Sequence, residues 1–433
     1  MKKIYYLAAA FVALSFAGCG DGIDLPDVNV EKDLNMIPLP EDQLDLVQVE
    51  SKDASVSMEH IGGLHTDADF DFVREKVKAG ESPWAEAYEQ LKSSKYAQLD
   101  WTTWPTEIII RGEGAENYMN AARGAAAAYQ MGLRWKIEQD DRYADKAVSI
   151  LNQWADVCKG LGGNSNVSLA SGIYGHEFAI AGELLYDYIG WDSQDRQDYV
   201  DWMLTVFYPA NKDFLVRHHG TNHLHYWANW GLCNIASTMA IGILADRRDI
   251  YNEAIEHFQT GVTNGRLTRA IYHAFTGQYA NFAQLQESGR DQGHTLMCVG
   301  LIGVICQLAW NQGDDFFAYK QNLFLKACEY AACYNYTSDP VPYTTYTWQQ
   351  HNAWGGISPV VQSALGENGR GNDRPIWALP YYHYKAQGSI KDEQIKYTKN
   401  AVETRGIEGG GGNYGETSGG FDVLGFGTLM YTR

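Results

Sequence analysis

The sequence predicts an all-α protein whose helical hairpins are arranged in a ring, and three features of the chain support this. Long segments with the apolar spacing of helices follow one another and are joined by short polar turns, whereas strand-like runs are few. Segments that are apolar nearly all round alternate with amphipathic ones, so the first kind should form an inner ring and the second an outer ring. No repeat of fixed length is visible, which counts against a helical solenoid, the competing architecture. We therefore predict an α/α toroid, or incomplete barrel, of about six or seven helical hairpins.

The first 19 residues have the pattern of an export signal that ends in a lipidated cysteine. Lys2 and Lys3 precede an apolar stretch over residues 4–16, which is too short to span a bilayer as a permanent helix. Small residues lead into Cys19 and a polar segment follows it, as at a lipobox cysteine; an ordinary cleaved secretory peptide is the alternative. We predict an exported lipoprotein of a Gram-negative bacterium, located in the outer membrane, the periplasm or at the cell surface. The lipid would be its only membrane attachment, since no later run looks long and apolar enough to span a bilayer.

A tether and one large domain are expected to follow the signal. Residues 20–55 are rich in Asp, Glu, Pro and Val and lack helical periodicity, which indicates a flexible tether. Residues 56–433 are predicted to form a single toroid domain with a loop-rich C-terminal part. Its helical segments, in chain order, are residues 67–80, a helix starting near residue 82, then 117–135, 140–154, 172–188, 191–214, 227–244, 250–258, 295–310 and 316–334.

Composition and charge exclude some classes of partner. A hydrophobic content of 45% supports a large core, and a net charge of -19 argues against nucleic acid as a partner. An acidic polysaccharide stays compatible with this charge if the few basic residues are concentrated in the cleft. The aromatic content of 13% offers flat faces on which sugar rings could stack. We expect a monomer.

The cysteines apart from Cys19 give no metal or redox motif. No Cys-x-x-Cys pair occurs among them, so we predict buried free thiols, with one disulfide as the alternative. These six residues are Cys158, Cys233, Cys298, Cys306, Cys328 and Cys333.

The segment 217–230 is the strongest candidate for chemistry. Four of the chain's twelve histidines lie within residues 218–225, and one of them follows an asparagine as Asn222-His223. Tyr226 follows, and then an apolar helix begins, so titratable groups and amides would lie at a helix start, where proton transfer is feasible. The alternative is a cluster of polar side chains that cap the helix. Zinc bound by three of these histidines is a weaker alternative, and since no acidic cluster has metal-ligand spacing, we predict no metal and no cofactor.

A second motif lies at residues 284–294 and contains Gln286, Arg290 and His294. Arg290 and His294 are four residues apart and would share one helical face at a helix start, where the backbone adds partial positive charge. Arginine is suited to binding a carboxylate with two hydrogen bonds. The alternative is a structural ion pair of Arg290 with Glu287 or Asp291. Tyr279 lies just upstream of this motif. It is a candidate catalyst, and a packing role is the alternative.

Further candidates for binding a substrate lie earlier in the chain. Tyr174 and His176 are in a glycine-rich helix start, where a histidine could line a cleft or cap a turn. Asn117 and Arg123 share a helical face that could hold sugar hydroxyls or simply face solvent. Trp104 belongs to an aromatic loop at residues 101–105.

Several of these motifs resemble the alginate lyase superfamily with the α/α toroid. In that family an Asn-His pair precedes a Tyr-Trp pair and an apolar helix with an Arg-Arg-Asp turn; here these are Asn222-His223, Tyr226-Trp227 and residues 245–249. The resemblance covers roughly residues 65 to 340. The motifs Thr66-Asp67, Gly175-His176-Glu177 and residues 286–294 look most like polysaccharide lyase family 38.

The resemblance implies β-elimination on alginate or a related polyuronate, which leaves a 4,5-unsaturated uronate end. By the family pattern, Asn222 and Arg290 would neutralise the substrate carboxylate, His223 would be the base, and a tyrosine would be the acid or serve both roles. The family's tyrosine follows the arginine, but His294 takes that place here. Tyr279 is therefore the first choice, with Tyr226 and Tyr174 in reserve. The residues expected to bind substrate are His176, Tyr174, Tyr226, His294, Gln286, Asn117, Arg123 and Trp104.

Two other functions stay open from the sequence. A glycoside hydrolase on a similar toroid would need two opposed carboxylates, for which Glu177, Glu183 and Glu287 are candidates. A surface lipoprotein that binds glycans without cleaving them is the second.

Overall fold

A computed structural model describes residues 49–352, 356–414 and 420–433. The α-helices within these residues are α1 (Asp67–Ala79), α2 (Trp84–Ser93), α3 (Tyr118–Glu138), α4 (Asp141–Val157), α5 (Val167–Leu184), α6 (Ser193–Trp202), α7 (Tyr208–Arg217), α8 (Ala228–Leu244), α9 (Arg248–Thr260), α10 (Leu267–Ala270), α11 (Gln292–Asn311), α12 (Tyr319–Tyr336), α13 (Ala378–Ala386), α14 (Lys396–Arg405) and α15 (Gly427–Tyr431). The strands are β1 (Ile108–Arg111), β2 (Gly160–Gly163), β3 (Ile271–Ala274), β4 (Ala283–Leu285), β5 (Tyr346–His351) and β6 (Ile357–Gln362). The predicted predominance of helices is confirmed.

The helices form a ring of hairpins. The inner helices α3, α5, α8 and α11 pack side by side, and α4, α6 with α7, α9 and α12 lie against them from outside. The hairpins α1/α2 and α13/α14 complete the ring, and α15 joins them because it packs against α1, α2 and α13. At this closure Arg433 forms an ion pair with Asp69. The predicted α/α toroid is confirmed, with six hairpins in the part of the chain that the structure describes.

The inner helices are buried because their sequences are apolar on every side. Helices α5, α8 and α11 are buried along almost their whole length. Small residues let α5 and α8 approach closely: a Cβ on Gly172 would lie 2.4 Å from the Sγ of Cys233. Helix α11 is long and apolar enough to span a bilayer by composition, contrary to the sequence prediction for this region, but 89% of its most apolar 18-residue window is buried inside the ring.

The inner helices begin at one end of the ring, which we call the rim. Strand β1 leads into α3, β2 leads into α5, and the two strands pair in parallel. Ser168, in the first turn of α5, hydrogen-bonds through its Oγ to the Nε2 of His219, 2.8 Å away in the loop before α8. The first backbone N–H of α8 donates to the Oε1 of Gln286, just before α11. The rim therefore collects the partial positive charges of four helix N-termini.

A β-hairpin formed by β5 and β6 lies on the rim. The sequence predicts loops after residue 340, and the structure instead pairs these strands antiparallel from Tyr346↔Gln362 to His351↔Ile357. The hairpin is held on the loop before α8, because the indole Nε1 of Trp348 donates to the backbone oxygen of His225 at 2.5 Å. The rim therefore includes a segment far from its other parts in sequence.

The chain before α1 runs along the opposite end of the ring. The backbone N–H of Met58 donates to the Oδ1 of Asp246, just after α8, at 2.7 Å. The N–H of Val49 donates to the Oε1 of Gln259 at 2.8 Å, so residues 49–55, expected in the tether, contact the domain. Residues 1–48, with the predicted signal, Cys19 and the rest of the tether, lie outside the described residues.

The six cysteines of the ring are free and buried, as predicted. Burial raises the pKa of the Cys233 thiol to about 12, so this thiol stays protonated at neutral pH.

Candidate active site

The histidine loop, residues 218–227, is shaped by two residues in the left-handed backbone region. His218 and His219 have φ of 51° and 52°, and they end α7 and turn the chain toward α8. His218 is buried, and neither ring nitrogen has a hydrogen-bond partner. Burial lowers the pKa of His218 well below its usual value, and the nearby His223 lowers it further. His218 is therefore a neutral packing residue under the loop.

His223 lies above His218, with ring centroids 5.0 Å apart, and is half-buried. Burial lowers the pKa of His223, and the positive charge of Arg269 acts in the same direction. A neutral imidazole carries a lone pair on one nitrogen, so His223 can accept a proton at neutral pH.

Asn222 fastens the histidine loop to the β-hairpin. Its backbone N–H donates to the Nδ1 of His351 at 3.1 Å, and its side-chain Nδ2 donates to the backbone oxygen of Gln349 at 3.0 Å. Its Oδ1 accepts from the N–H of Leu224 at 2.9 Å. This fixes the orientation of the amide, and an amide nitrogen carries a second hydrogen that could serve a substrate.

His225 is a second attachment point for the hairpin. Its Nδ1 accepts from the backbone N–H of His351 at 2.9 Å, and its ring stacks on Trp348. Burial lowers the pKa of His225 to about 4, so it remains a neutral acceptor. Within the described ranges, no group of three His, Cys, Asp or Glu side chains has the arrangement to hold a metal ion.

Arg290 lies at the start of α11 and faces the histidine loop. Its Nη1 is 2.9 Å from the Oε2 of Glu287, its Nε is 3.5 Å from the Oδ2 of Asp291, and its guanidinium lies 5.1 Å from the ring centre of Trp227. The ion pair that the sequence left as an alternative therefore exists. The Arg290 side chain is still 16% exposed, whereas Glu287 is fully buried. The pair can thus hold the guanidinium in place at the rim.

Gln286 and Glu287 cap α8 from the neighbouring loop. The Oε1 of Glu287 accepts from the backbone and side-chain nitrogens of Asn229, at 2.9 and 2.8 Å. Gln286 is buried, its Oε1 accepts from the N–H of Ala228, and its Nε2 donates to the hydroxyl of Tyr346 at 2.7 Å. Gln286 is thus placed to orient the side chain of Tyr346, and its contact with a substrate remains a prediction.

His294 is paired with the residue that caps α11. The Oδ1 of Asp291 accepts from the backbone N–H of His294, and its Oδ2 lies 2.7 Å from the Nδ1 of the same residue. Burial tends to raise the pKa of Asp291, but the interactions with His294 and Arg290 outweigh it and hold this pKa below its usual value. Asp291 therefore stays anionic and orients the imidazole at the rim.

Two of the three tyrosines predicted as acid candidates are packed against other aromatic rings. Tyr279 is in a turn between β3 and β4 and packs on Phe282, in an outer cluster that includes Tyr330. This hairpin places Tyr279 against residues of the outer helix α12. Tyr226 is packed between Phe214 and Trp230, and burial raises its pKa to about 12.

Tyr174 and His176 lie inside the ring. The hydroxyl of Tyr174 accepts from the Nη1 of Arg111 at 3.4 Å, and its side chain is fully buried. His176 hydrogen-bonds through its Nδ1 to the backbone oxygen of Gly172 at 2.9 Å, and burial lowers its pKa to about 4. Contact of either side chain with a substrate remains a prediction.

The other predicted binding residues are spread around the start of α3. Asn117 uses its side chain to hold β1, since its Oδ1 accepts from the N–H of Ile110 and its Nδ2 donates to the oxygen of Ile108. Arg123 is partly exposed on α3. Trp104 is 55% exposed and packs edge-on against Trp101, so it offers a face on which a sugar could stack.

The candidate carboxylates for a hydrolase are separated. Glu183 binds the Nδ1 of His60 and the N–H of Gly62 at the end of the ring opposite the rim, and Glu287 is paired with Arg290. Glu177 is buried, and burial together with the negative charge of Asp422 raises its pKa well above its usual value. These residues do not form an opposed pair across a cleft.

Residues of the hairpin and of the segment after α9 complete the rim but were not singled out from the sequence. Tyr346 lies between Trp227 and Tyr272, with ring centroids 6.1 and 5.1 Å away, and Trp348 stacks on Trp227 at 4.9 Å. Arg269 is close enough to lower the pKa of His223. The alternation Tyr-Thr-Trp in residues 346–348 was the available sign of a strand.

Comparisons with known proteins agree with this architecture. The chain is similar to an alginate lyase from Bacteroides ovatus, with 15% identity over 80% of this chain and 96% of that chain and a TM-score of 0.50. It is also similar to a histidine-to-alanine variant of alginate lyase A1-III in complex with a tetrasaccharide, with 13% identity over 88% of this chain and 98% of that chain and a TM-score of 0.52. Alginate lyase A1-III is from Sphingomonas species A1.

These identities are low, so the two structures establish a shared fold alone. No curated protein matches the chain. The model of the alginate lyase family matches residues 73–342, which is more than half of the chain and includes the histidine loop and Arg290. The chain therefore belongs to the alginate lyase family and is a polysaccharide lyase.

Proposed function

We propose that the chain cleaves alginate or a related polyuronate by β-elimination at the rim, with His223 as the base and Arg290 and Asn222 as the carboxylate-binding groups. The observation that carries the proposal is that the guanidinium of Arg290 lies on Trp227, which belongs to the same loop as Asn222 and the neutral His223. The remaining proposed substrate contacts are Tyr174, Tyr226, His176, His294, Gln286, Asn117, Arg123 and Trp104.

The chemistry explains why these groups are needed together. The C5 hydrogen of a uronate is weakly acidic while the adjacent carboxylate keeps its full charge. Hydrogen bonds and positive charge from Arg290 and Asn222 stabilise the enolate-like intermediate, which lets His223 remove the proton. The bond from C4 to the glycosidic oxygen then breaks and leaves a C4=C5 double bond.

Charge at the rim offsets the acidity of the protein as a whole. The chain has a net charge of -19, which repels a polyanion at long range. Arg269 and Arg290 lie at the rim together with the N-termini of α3, α5, α8 and α11. Glu287 and Asp291 compensate part of the charge of Arg290, so Arg269 and the helix N-termini supply the further positive potential that an acidic polymer needs at the rim.

The direct test is incubation of the purified protein with polymannuronate, polyguluronate and glucuronan. We expect ultraviolet absorbance from the unsaturated uronate to rise with at least one of these polymers, and not with a neutral polysaccharide. New reducing ends without this absorbance would indicate hydrolysis. Binding without either signal would leave a glycan-binding protein.

We also propose that the protein is a monomer, exported and attached to a membrane through lipid on Cys19. The support is the sequence alone: a basic start, a short apolar stretch and small residues before Cys19. We expect Cys19→Ser to move the full-length protein from the membrane fraction to the soluble fraction of the producing cells. Equal distribution of the variant and the wild type would contradict the anchor.

A further inference from the structure

The proposed elimination needs a proton donor for the departing glycosidic oxygen, and the sequence candidates do not supply one. Tyr279 lies in the outer cluster with Phe282, and Tyr226 is packed among aromatic rings. Tyr174 is fully buried under the rim. A different hydroxyl at the rim is therefore required.

The hydroxyl of Tyr346 meets this requirement by position. Tyr346 is partly buried on β5, next to Trp227, the residue on which the guanidinium of Arg290 lies. Arg269 is close to both Tyr346 and His223, since its charge acts on the pKa of each. Tyr346 therefore belongs to the same part of the rim as the proposed base and the carboxylate-binding arginine.

The hydrogen bonds around Tyr346 determine where its proton can go. Gln286 accepts from the N–H of Ala228 through Oε1, which fixes its Nε2 as the group that faces Tyr346. An amide N–H can only donate, so the Tyr346 oxygen is an acceptor in this 2.7 Å bond. No residue in the described part of the chain accepts the hydroxyl hydrogen of Tyr346. The hydroxyl is held in place while its proton stays available.

Tyr272, the tyrosine next to Tyr346, differs because its hydroxyl hydrogen is already donated within the protein. The hydroxyl of Tyr272 donates to the backbone oxygens of Thr344 and Thr345, at 2.9 and 2.7 Å. Its proton is thus used inside the protein, although its ring lies only 5.1 Å from that of Tyr346. Tyr272 provides a matched control.

We propose that Tyr346 is the general acid, a role that rests on the lyase function proposed above. His223 takes the C5 proton, the C5–H electrons form the C4=C5 double bond, and the C4–O electrons leave with the glycosidic oxygen. That oxygen takes the proton of Tyr346 and becomes a free hydroxyl. The proton on His223 then returns to the Tyr346 oxygen through solvent, which restores both groups.

The electrostatic surroundings agree with an acid rather than a base. Burial raises the pKa of Tyr346, the hydrogen bond from Gln286 lowers it, and the charge of Glu287 raises it. The net direction is upward, so the phenol is protonated at neutral pH. Tyr346 also lies beyond residues 73–342, the part of the chain that the family model covers.

The test compares two leaving groups. On a polyuronate that the wild type cleaves, Tyr346→Phe should lower kcat by roughly 10²–10⁴-fold, as expected for loss of a general acid. Tyr272→Phe should stay within a few-fold of the wild type. Fluoride can leave as an anion without taking up a proton. On a uronate that carries fluoride at C4, Tyr346→Phe should therefore release fluoride at a rate close to that of the wild type.

Three results would overturn the role of Tyr346. The first is a Tyr346→Phe variant that keeps wild-type kcat on the polymer. The second is an equal loss on both substrates, which would indicate that the ring only shapes the site. The third is a His294→Gln variant that loses kcat on the polymer but not on the fluoride substrate, while Tyr346→Phe does not show this difference. That result would assign the acid to the Asp291–His294 pair. If the wild type itself forms no unsaturated product on any polyuronate, the proposed function fails, and this outcome is distinct from the other three.

Discussion

His223→Ala is expected to lower kcat on a polyuronate by roughly 10²–10⁴-fold, because it removes the base that takes the C5 proton. The loss should be in the chemical step and not in folding. His223 makes a ring contact with His218, and its side chain has no hydrogen bond to the described residues. Steady-state kinetics with ultraviolet detection of the product, together with thermal unfolding of the variant, would measure both quantities.

The pH dependence gives an independent readout of the same residue. Burial and the charge of Arg269 lower the pKa of His223 below that of a free histidine, so the neutral form persists to a lower pH. We expect kcat/KM to be constant from pH 7.5 to about 6.5 and to fall at lower pH, as the imidazole becomes protonated and can no longer accept a proton.

A histidine at the opposite end of the ring serves as the control. His383 on α13 is also half-buried with a lowered pKa, and it packs on Trp310 near the end of α11 that lies away from the rim. His383→Asn should therefore keep the wild-type kcat and pH profile. A His223→Ala variant with kcat near that of the wild type would rule out His223 as the base.

Arg290→Lys should lower kcat/KM by roughly 10²–10³-fold, the usual effect of losing one donor that stabilises a developing negative charge. Lysine keeps a positive charge near Glu287 but lacks the planar fork that binds a carboxylate with two hydrogen bonds. The free energy of unfolding of Arg290→Lys should stay close to that of the wild type. Kinetics combined with chemical denaturation would separate the two effects.

Arg290→Ala should behave differently, because it leaves the buried Glu287 without its cationic partner. Breaking a buried ion pair typically costs about 3–5 kcal/mol of unfolding free energy.

The control for Arg290→Lys is Arg134→Lys, since Arg134 also pairs with a carboxylate, Glu138, but near the C-terminal end of α3. Wild-type kcat/KM in Arg290→Lys would contradict a role in carboxylate binding.

The ring itself could be predicted from the sequence, because the inner helices are apolar on every side and the outer ones are not. Boundaries were less accurate. The helix expected at residues 172–188 begins at Val167, since Gly172 and Gly175 look like helix breaks but serve the close packing of α5 on α8. The segment 191–214 contains a short π-helix at Met203–Phe207, which joins α6 to α7.

Part of the site could be predicted because its residues are neighbours in sequence. The histidine loop and the segment around Arg290 are each local motifs at a helix start, although the roles of their residues remain predictions. The hairpin was missed because its contacts span long distances in the chain: the bond between Asn222 and His351 joins residues 129 apart. Apolar periodicity carries no information about such contacts. Tyr279 was chosen for its nearness to Arg290 in sequence, and apolar periodicity likewise did not reveal that it packs in a cluster with Phe282 and Tyr330.

In the proposed mechanism, Asn222, His223 and Arg290 act on one uronate while Tyr346 faces its glycosidic oxygen. The most direct measurement is a crystal structure of the Tyr346→Phe variant with an uncleaved oligouronate bound. We predict a uronate carboxylate in hydrogen-bond contact with Arg290 and Asn222, and a ring nitrogen of His223 within about 3–3.5 Å of C5. An oligouronate bound elsewhere, or one whose carboxylate faces away from Arg290 and whose C5 is out of reach of His223, would contradict the account.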